Sequence, residues 1–365
     1  MQKGFGRKSS GVTEKNMDLQ LSIGMANNPR TSAIFDGHVK PDGIDLISTS
    51  VHASELFWRQ LRFGDFDVSE MSMSSLMMAI ANGDDRWVGI PVFTTRRMFQ
   101  VGTLVRKDSG IDKPSDLKGK KLGVPEYQQT AALWTRGFLQ HEYDVHARDI
   151  EFWMERNPEH SQGGAVGFTP PKDVKLSYIP NTTNLGQMML DGKIDGALRY
   201  LAGTNNLIDR SNLDLYKHPD FKTLFPDPHA EGVRFFKKTG IYPINHGMVI
   251  KREIAEKHPW VILNLYKAFV KANEIAEKYA QSSVGQIFAV MRELGFEVPA
   301  VKSKVPSKRF GIGQILEEEQ VLDVINHYVI DKYKAFCLIG AYSMLRLKDI
   351  LNIEENGLKM LRNLL

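Results

Sequence analysis

Cysteine is almost missing from this sequence. Its one copy in 365 residues, Cys337, makes an intrachain disulfide impossible and excludes a cysteine-based zinc site. Cys337 sits among Ala335, Phe336, Leu338 and Ile339, which predicts a packed thiol. No apolar run approaches the roughly 18 residues that a membrane span needs, so no span is expected. Charge of one sign does not accumulate either. The 47 Lys and Arg are interleaved with 43 Asp and Glu, and a net charge of +4 argues against nucleic-acid binding. No GxGxxG follows a strand pattern, and P-loop and GxSxG stretches are absent, which leaves dinucleotide, nucleoside-triphosphate and serine-hydrolase chemistry without support. No HxxxH or HxH pair occurs, so a divalent metal is left only a dispersed set of histidines and carboxylates.

The N-terminus lacks a secretory signal. Lys3, Arg7, Lys8 and Lys15 are present, but no apolar run of about 7–15 residues follows them. Residues 1–17 are therefore expected to be a disordered extension. The expected location is cytoplasmic, or periplasmic if a signal has been removed.

What remains is ordinary for a soluble globular protein: 42% hydrophobic and 25% charged residues. The length exceeds the roughly 100–200 residues of one domain, so two lobes are expected. Strand patterns at 19–25, 43–48, 66–68 and 87–93 alternate with helix patterns at 53–62 and 72–81, which predicts a mostly parallel sheet. A second set follows: strands near 121–124, 175–179 and 194–198, and helices at 130–141, with Thr130 as N-cap, and 185–191. An extended apolar segment returns at 240–251. Pro259 then opens a long helix with Val261, Leu265, Ala268, Phe269 and Ala272 near one face. The remainder reads as helical, with Glu317, Glu318 and Glu319 at a solvated helix start. The chain is thus expected to cross between lobes near 98–106 and again near 240–249. That assigns 18–101 and 243–365 to one lobe and 102–242 to the other, with a hinge and a ligand cleft between them.

Ligands of open α/β sheets sit beyond the carboxyl ends of strands, where helix N-termini offer unpaired N–H groups to anions. Two junctions fit. One holds Ser72, Ser74 and Ser75, with helix capping by a single serine as the competing reading. The other runs from Val124 through Glu126, Tyr127 and Gln128 to Thr130, where a plain loop and cap competes. Arg96 and Arg97 follow one strand and Arg199 another, and each can hold a carboxylate through a planar fork or be a surface residue. His246, at the second crossing, can donate to a ligand or move a proton at neutral pH, or be structural. His38, after Phe35, Asp36 and Gly37, lies in a loop that can reach the cleft.

The blocks FDVSEMSMSS (66–75), GIPVFTTRR (89–97), VRKDSGIDKPSDLKGKKLG (105–123), VPEYQQT (124–130) and TGIYPINHGMVIK (239–251) resemble the 4,5-dihydroxyphthalate decarboxylase family in order and spacing. The resemblance covers roughly 19–280; residues 308–365 depart from the family's usual C-terminal pattern. That family is similar to the solute-binding proteins of ABC transporters, which implies a periplasmic-binding-protein type II fold of two α/β lobes joined by a two-crossing hinge. The resemblance also implies non-oxidative loss of CO2 from a dihydroxylated aromatic acid, with Glu70 or His246 handling a proton and Arg96, Arg97 or Arg199 holding the retained carboxylate. Tyr127 would align a hydroxyl. No cofactor is implied, and the expected partner is a small aromatic carboxylate, with self-association into a homo-oligomer also open. Binding a small carboxylate without catalysis, as a transporter receptor does, is the alternative.

Overall fold

A computed structural model describes residues 18–203 and 206–293, with side chains through residue 279. The extension expected over 1–17, the helices expected beyond residue 293, the acidic helix start at Glu317, Glu318 and Glu319, and Cys337 lie outside the described residues.

Alternating apolar residues form β1 (Leu19–Met25), whose Leu21, Ile23 and Met25 are buried. A short α1 (Ser32–Phe35) leads to β2 (Ile44–Ser50). His52 caps α2 (Ala53–Phe63), and Gly64 at φ 67° ends that helix in the left-handed region. β3 (Val68–Ser72) is buried at every residue and runs directly into α3 (Met73–Ala81), followed by β4 (Trp87–Arg96). The chain then crosses to β5 (Leu104–Arg106), β6 (Lys121–Val124), α4 (Thr130–Tyr143), β7 (Glu151–Met154), α5 (Gln162–Ala165), β8 (Lys175–Tyr178), α6 (Leu185–Leu190), β9 (Gly196–Ala197), β10 (Phe221–Thr223) and α7 (Pro228–Thr239). It returns into β11 (Ile244–Lys251), α8 (Arg252–Lys257) and α9 (Trp260–Glu293).

These strands make two sheets. The first has the order β2-β1-β3-β11-β4, and the second β10-β5-β9-β6-β7-β8. In the first, β1, β2 and β3 are parallel, while β11 is antiparallel to both β3 and β4. The second is parallel from β9 through β8, with β5 antiparallel to its neighbours. The expected two-lobed α/β architecture is present, with two crossings, but each sheet is mixed. Val261, Leu265, Ala268, Phe269 and Ala272 of α9 recur every three or four residues and pack on the same core as Leu21, Ile23 and Ile250. Tyr127, Phe138, Phe152, Phe225 and Phe235 belong to the core of the second sheet.

Three local expectations need correction. The strand expected at 66–68 instead spans Val68–Ser72, which puts Glu70 inside a central strand. β4 extends to Arg96, so that residue ends the strand and Arg97 follows it. Thr130 is the first helical residue of α4 and not its cap; Gln129 precedes it and makes no capping bond.

Gly164 in α5 is a position where only a hydrogen fits. A Cβ built there would lie 1.9 Å from the Pro158 carbonyl oxygen, and backbone cannot rotate away as a side chain can. Gly164→Ala is expected to destabilise the fold by about 1–3 kcal/mol, read as a lower urea midpoint. An unchanged midpoint would show that the 158–164 turn yields freely.

Candidate active site

The ends of β1, β3, β4 and β11 meet at one side of the first sheet. β11 runs against β3 with His246 opposite Ser72 and Met248 opposite Glu70, so Glu70 and His246 are diagonal neighbours. On the other side, the register of β11 against β4 shifts on both sides of His246. Such a bulge re-aims a side chain. Here it accompanies a contact across the sheet: the Thr94 hydroxyl of β4 donates to Glu70 Oε1 at 2.5 Å, and His246 Nδ1 lies 2.9 Å from the same oxygen. Glu70 Oε2 accepts the Ala26 N–H at 2.9 Å.

Glu70 is wholly buried. Burial is the largest influence on its carboxyl and opposes ionisation. His246, Thr94 and the Ala26 N–H together outweigh it, holding the group below the usual carboxylate range. The ionised carboxylate accepts only, so the His246 nitrogen facing it, Nδ1, carries the proton. Nε2 then has the lone pair, and Asn245 Nδ2 lies 2.6 Å from it. The edge of the His246 ring meets Phe57, with centroids 4.6 Å apart.

His246 lines a cavity of about 200 Å³ between the two sheets, together with Ser72, Arg97, Phe99, Thr130, Arg156 and Arg199. Drug-sized pockets run to roughly 300–1,000 Å³, so this one suits a guest of about one ring. Neither Arg97 nor Arg199 pairs with a carboxylate or donates from its side chain to another described residue. Burial holds the Arg199 guanidinium below the ordinary arginine value; nearby Tyr216 and Asp209 oppose this and the like charge of Arg97 adds to it. Arg97 is exposed and Arg199 half-buried, and neither forms an ion pair with a described residue, so both guanidiniums can fork to an entering anion. Among the described residues no three His, Cys, Asp or Glu side chains are grouped to hold a metal ion, and no helix is long and apolar enough to cross a membrane.

The relatives point the same way. A curated 4,5-dihydroxyphthalate decarboxylase of Comamonas testosteroni is 35% identical over 258 residues, which is 71% of this chain and 76% of that protein. The chain belongs to the 4,5-dihydroxyphthalate decarboxylase family. It is thus a member of a family of carboxy-lyases. A second member, from Pseudomonas putida, is 34% identical over 219 residues, 60% of this chain and 82% of its own length. No protein-family model matches the chain. Solved structures with a related arrangement include the alkanesulfonate-binding protein SsuA of Xanthomonas axonopodis pv. citri, at 12% identity and a TM-score of 0.44, covering 76% of this chain and 79% of that one. The desulfurization enzyme DSZB, at 13% identity and a TM-score of 0.40, covers 93% and 99%. The two sheets and the paired crossings define the fold, not these low scores.

The two junctions expected to face a common guest instead face each other. Ser72 Oγ lies 2.8 Å from Thr130 Oγ1, and Ser74 N–H donates to that same oxygen at 2.9 Å. Ser74 Oγ donates to the Gln128 carbonyl at 2.7 Å, and Ser75 Oγ to Gln162 Oε1 at 2.8 Å. Ser72 and Thr130 still border the cavity; Ser74, Ser75 and Gln128 are not on its wall. Glu126 is also off the wall, being fully buried and accepting from the Gln162 and Gly163 N–H groups, Gln128 and Arg156. Tyr127 packs on Phe152 under the Arg136 guanidinium, which stands 3.8 Å from its ring centre, and is not on the cavity wall. Arg96 is exposed and stacks on Tyr242 at 5.1 Å. His38 does not reach the cavity wall.

Three wall residues escape a reading of the sequence. Arg156 follows β7 as Arg199 follows β9, but the Glu151–Met154 strand was not legible, so nothing marked it. It is fully buried, pairs with Asp209 at 2.6 Å and Glu126 at 3.3 Å, and donates across to Ser54 at 2.6 Å. Asn245 adjoins His246, and His52 looks like an ordinary helix cap until the fold brings it to the cavity.

Glu70 and Asp209 both have folded-state values below their unfolded ones; for Asp209, burial is again the largest influence and Arg156 the largest opposing one. Their stabilisation is complete above roughly pH 4.3 and is lost as pH falls through the folded values. The carboxylate contribution to the urea midpoint should therefore hold from pH 7 to pH 5 and fall steeply below pH 4. Glu70→Gln should cost about 1–3 kcal/mol at pH 7, because three donors then face an amide with one acceptor, and should flatten the acid limb. A Glu70→Gln protein with the parent's acid limb would mean that Glu70 is not ionised in the fold.

Proposed function

We propose that the cavity takes 4,5-dihydroxyphthalate, or a close analogue, and releases one carboxylate as CO2, leaving protocatechuate. The observation that carries this reading is the pair of guanidiniums without an ion-pair partner, Arg97 and Arg199, on the wall that His246 also lines, with Glu70 behind His246. A phthalate brings negative charge that the two guanidiniums attract, and its retained carboxylate can take a guanidinium fork. The curated relatives named for this activity support the same substrate.

The reaction asks for three things. The retained carboxylate needs charge-assisted hydrogen bonds, which a free arginine supplies. The departing carboxylate gains by sitting where solvation is poor, and Phe57, Phe99 and Leu201 make part of the wall apolar. The ring hydroxyl para to the departing group must lose its proton, and Nε2 of His246 is the base once that hydroxyl displaces the Asn245 amino group 2.6 Å from it. The phenolate then pushes an electron pair into the ring, and the para carbon takes a proton from water. The carbon–carbon bond breaks, its electron pair returns to the ring, CO2 leaves, and His246 gives its proton back to the oxygen. One proton is consumed for each CO2 released from the dianion. Glu70 fixes the His246 tautomer and steadies the imidazolium while it lasts.

Purified protein given 4,5-dihydroxyphthalate should form CO2 and protocatechuate in equal amounts. Arg97→Ala and Arg199→Ala should each raise KM about 10–100-fold, the equivalent of losing roughly 1.5–3 kcal/mol of charged hydrogen bonding. His246→Ala should lower kcat by roughly 10²–10⁴, and should also lower the urea midpoint because Glu70 loses its strongest partner. Tight binding with no CO2 evolved would return the chain to the receptor reading.

A further inference from the structure

We propose that His52 is a second substrate-facing histidine, a neutral Nε2–H donor to the ring hydroxyl next to the one that His246 deprotonates. This rests on the substrate reading above and adds a residue that accounts for recognition of two adjacent hydroxyls.

The geometry fixes the tautomer. His52 lines the same cavity as His246. Its Nδ1 takes the Ser54 backbone N–H at 3.3 Å, and a backbone N–H can only donate. Asn206 Nδ2 lies 3.2 Å from the same nitrogen. The Asn206 amide has a defined orientation, because its Oδ1 accepts the Ile208 and Asp209 N–H groups at 2.8 and 3.0 Å, which leaves the amino group towards His52. With two donors on Nδ1, the ring carries its proton on Nε2, and Nε2 is the nitrogen left for a guest. Burial, the largest influence, holds His52 below the ordinary histidine value. Arg156 and His246 reinforce this, while Asp209 and Glu55 oppose it.

The two histidines therefore present opposite tautomers to one small space. His246, with its proton turned to Glu70, offers a lone pair; His52, with its lone pair turned to Ser54 and Asn206, offers a proton. An ortho-dihydroxy ring meets both: one O–H gives its proton to His246, and the adjacent oxygen accepts from His52. Because the His52 donor is neutral, it orients the ring without making the second hydroxyl compete for ionisation.

The first test needs no substrate. Protein labelled with 15N-histidine, with signals assigned through His52→Asn and His246→Asn, should show at pH 7 a neutral Nε2–H ring for His52. A charged His52, or one protonated at Nδ1, overturns the proposal even if the chain proves to be a decarboxylase. The second test separates recognition from scaffolding. Asn is a good helix cap, so His52→Asn should keep the urea midpoint. It should lower kcat/KM for 4,5-dihydroxyphthalate about 10–100-fold while leaving the inhibition constant of phthalate, which lacks both hydroxyls, within about twofold. Equal losses for both compounds, or an unchanged kcat/KM, overturn it. Lack of any turnover by the unsubstituted protein instead counts against the substrate reading, and the labelled spectrum still decides the tautomer.

Discussion

A carboxylate shut away from water must be held by donors, and the arrangement of this fold's first sheet can be read from how Glu70 finds three. Its partners come from the end of β1 (Ala26), from β4 (Thr94) and from β11 (His246). No local stretch of chain could supply them. The third comes from 176 residues away in sequence, and it arrives only because the chain, after building the whole second sheet, returns as an antiparallel strand between β3 and β4. The crossing that makes two lobes is therefore also what completes the Glu70–His246 pair. Losing the return strand would leave Glu70 buried with its strongest partner gone, a state that costs several kcal/mol or forces the carboxyl to neutralise.

Charge is distributed unevenly around the cavity. Arg156 is matched by Glu126 and Asp209, and Glu70 by donors including His246. Arg97, which is exposed, and Arg199 form no ion pair with a described residue. Beside this, the seam between the lobes is made largely of neutral groups: Ser72 against Thr130, Ser74 against Gln128, Trp58 against the Glu159 carbonyl and Trp134 against the Ile244 carbonyl. Each such bond has a water-bonded equivalent of nearly equal free energy, so the lobes can separate without exposing an unpaired buried charge at these points.

The sequence made the lobes legible because strand and helix periods are local, and β1, α2, β6 and the buried face of α9 need only their own residues to be recognised. It exposed His246, Arg97 and Arg199 for the same reason, since each follows or lies within a readable strand. The serines have other partners for a physical cause: hydroxyls at a helix start satisfy whatever acceptor arrives first, and here another junction supplies partners. Glu126 and Tyr127 lie off the wall for a different reason. A carboxylate and an aromatic in a junction look exposed in sequence, yet short α5 turns two N–H groups onto Glu126, and Arg136 covers Tyr127. Arg156 and His52 stayed hidden because their importance depends on partners from the opposite lobe, Ser54 for one and Asn206 for the other.

Two-lobed scaffolds of this kind serve receptors and enzymes alike, and fold alone does not separate the two. The free arginines do not separate them either, since a receptor for a dicarboxylate would want the same cations. The pair that matters is Glu70 and His246. Fixing one tautomer of a histidine costs the fold a buried, ionised carboxylate. Mere recognition of a carboxylate gives no reason to carry that cost, because the Nε2 lone pair, which meets Asn245 Nδ2 at 2.6 Å, repels an anion rather than attracting it. Such a lone pair is useful when a guest displaces the Asn245 amino group and brings a proton to give up, as a ring hydroxyl near guanidiniums does. In the proposed reaction, the cations that attract the guest and the base that takes its proton stand on one wall, and that adjacency favours catalysis over mere binding.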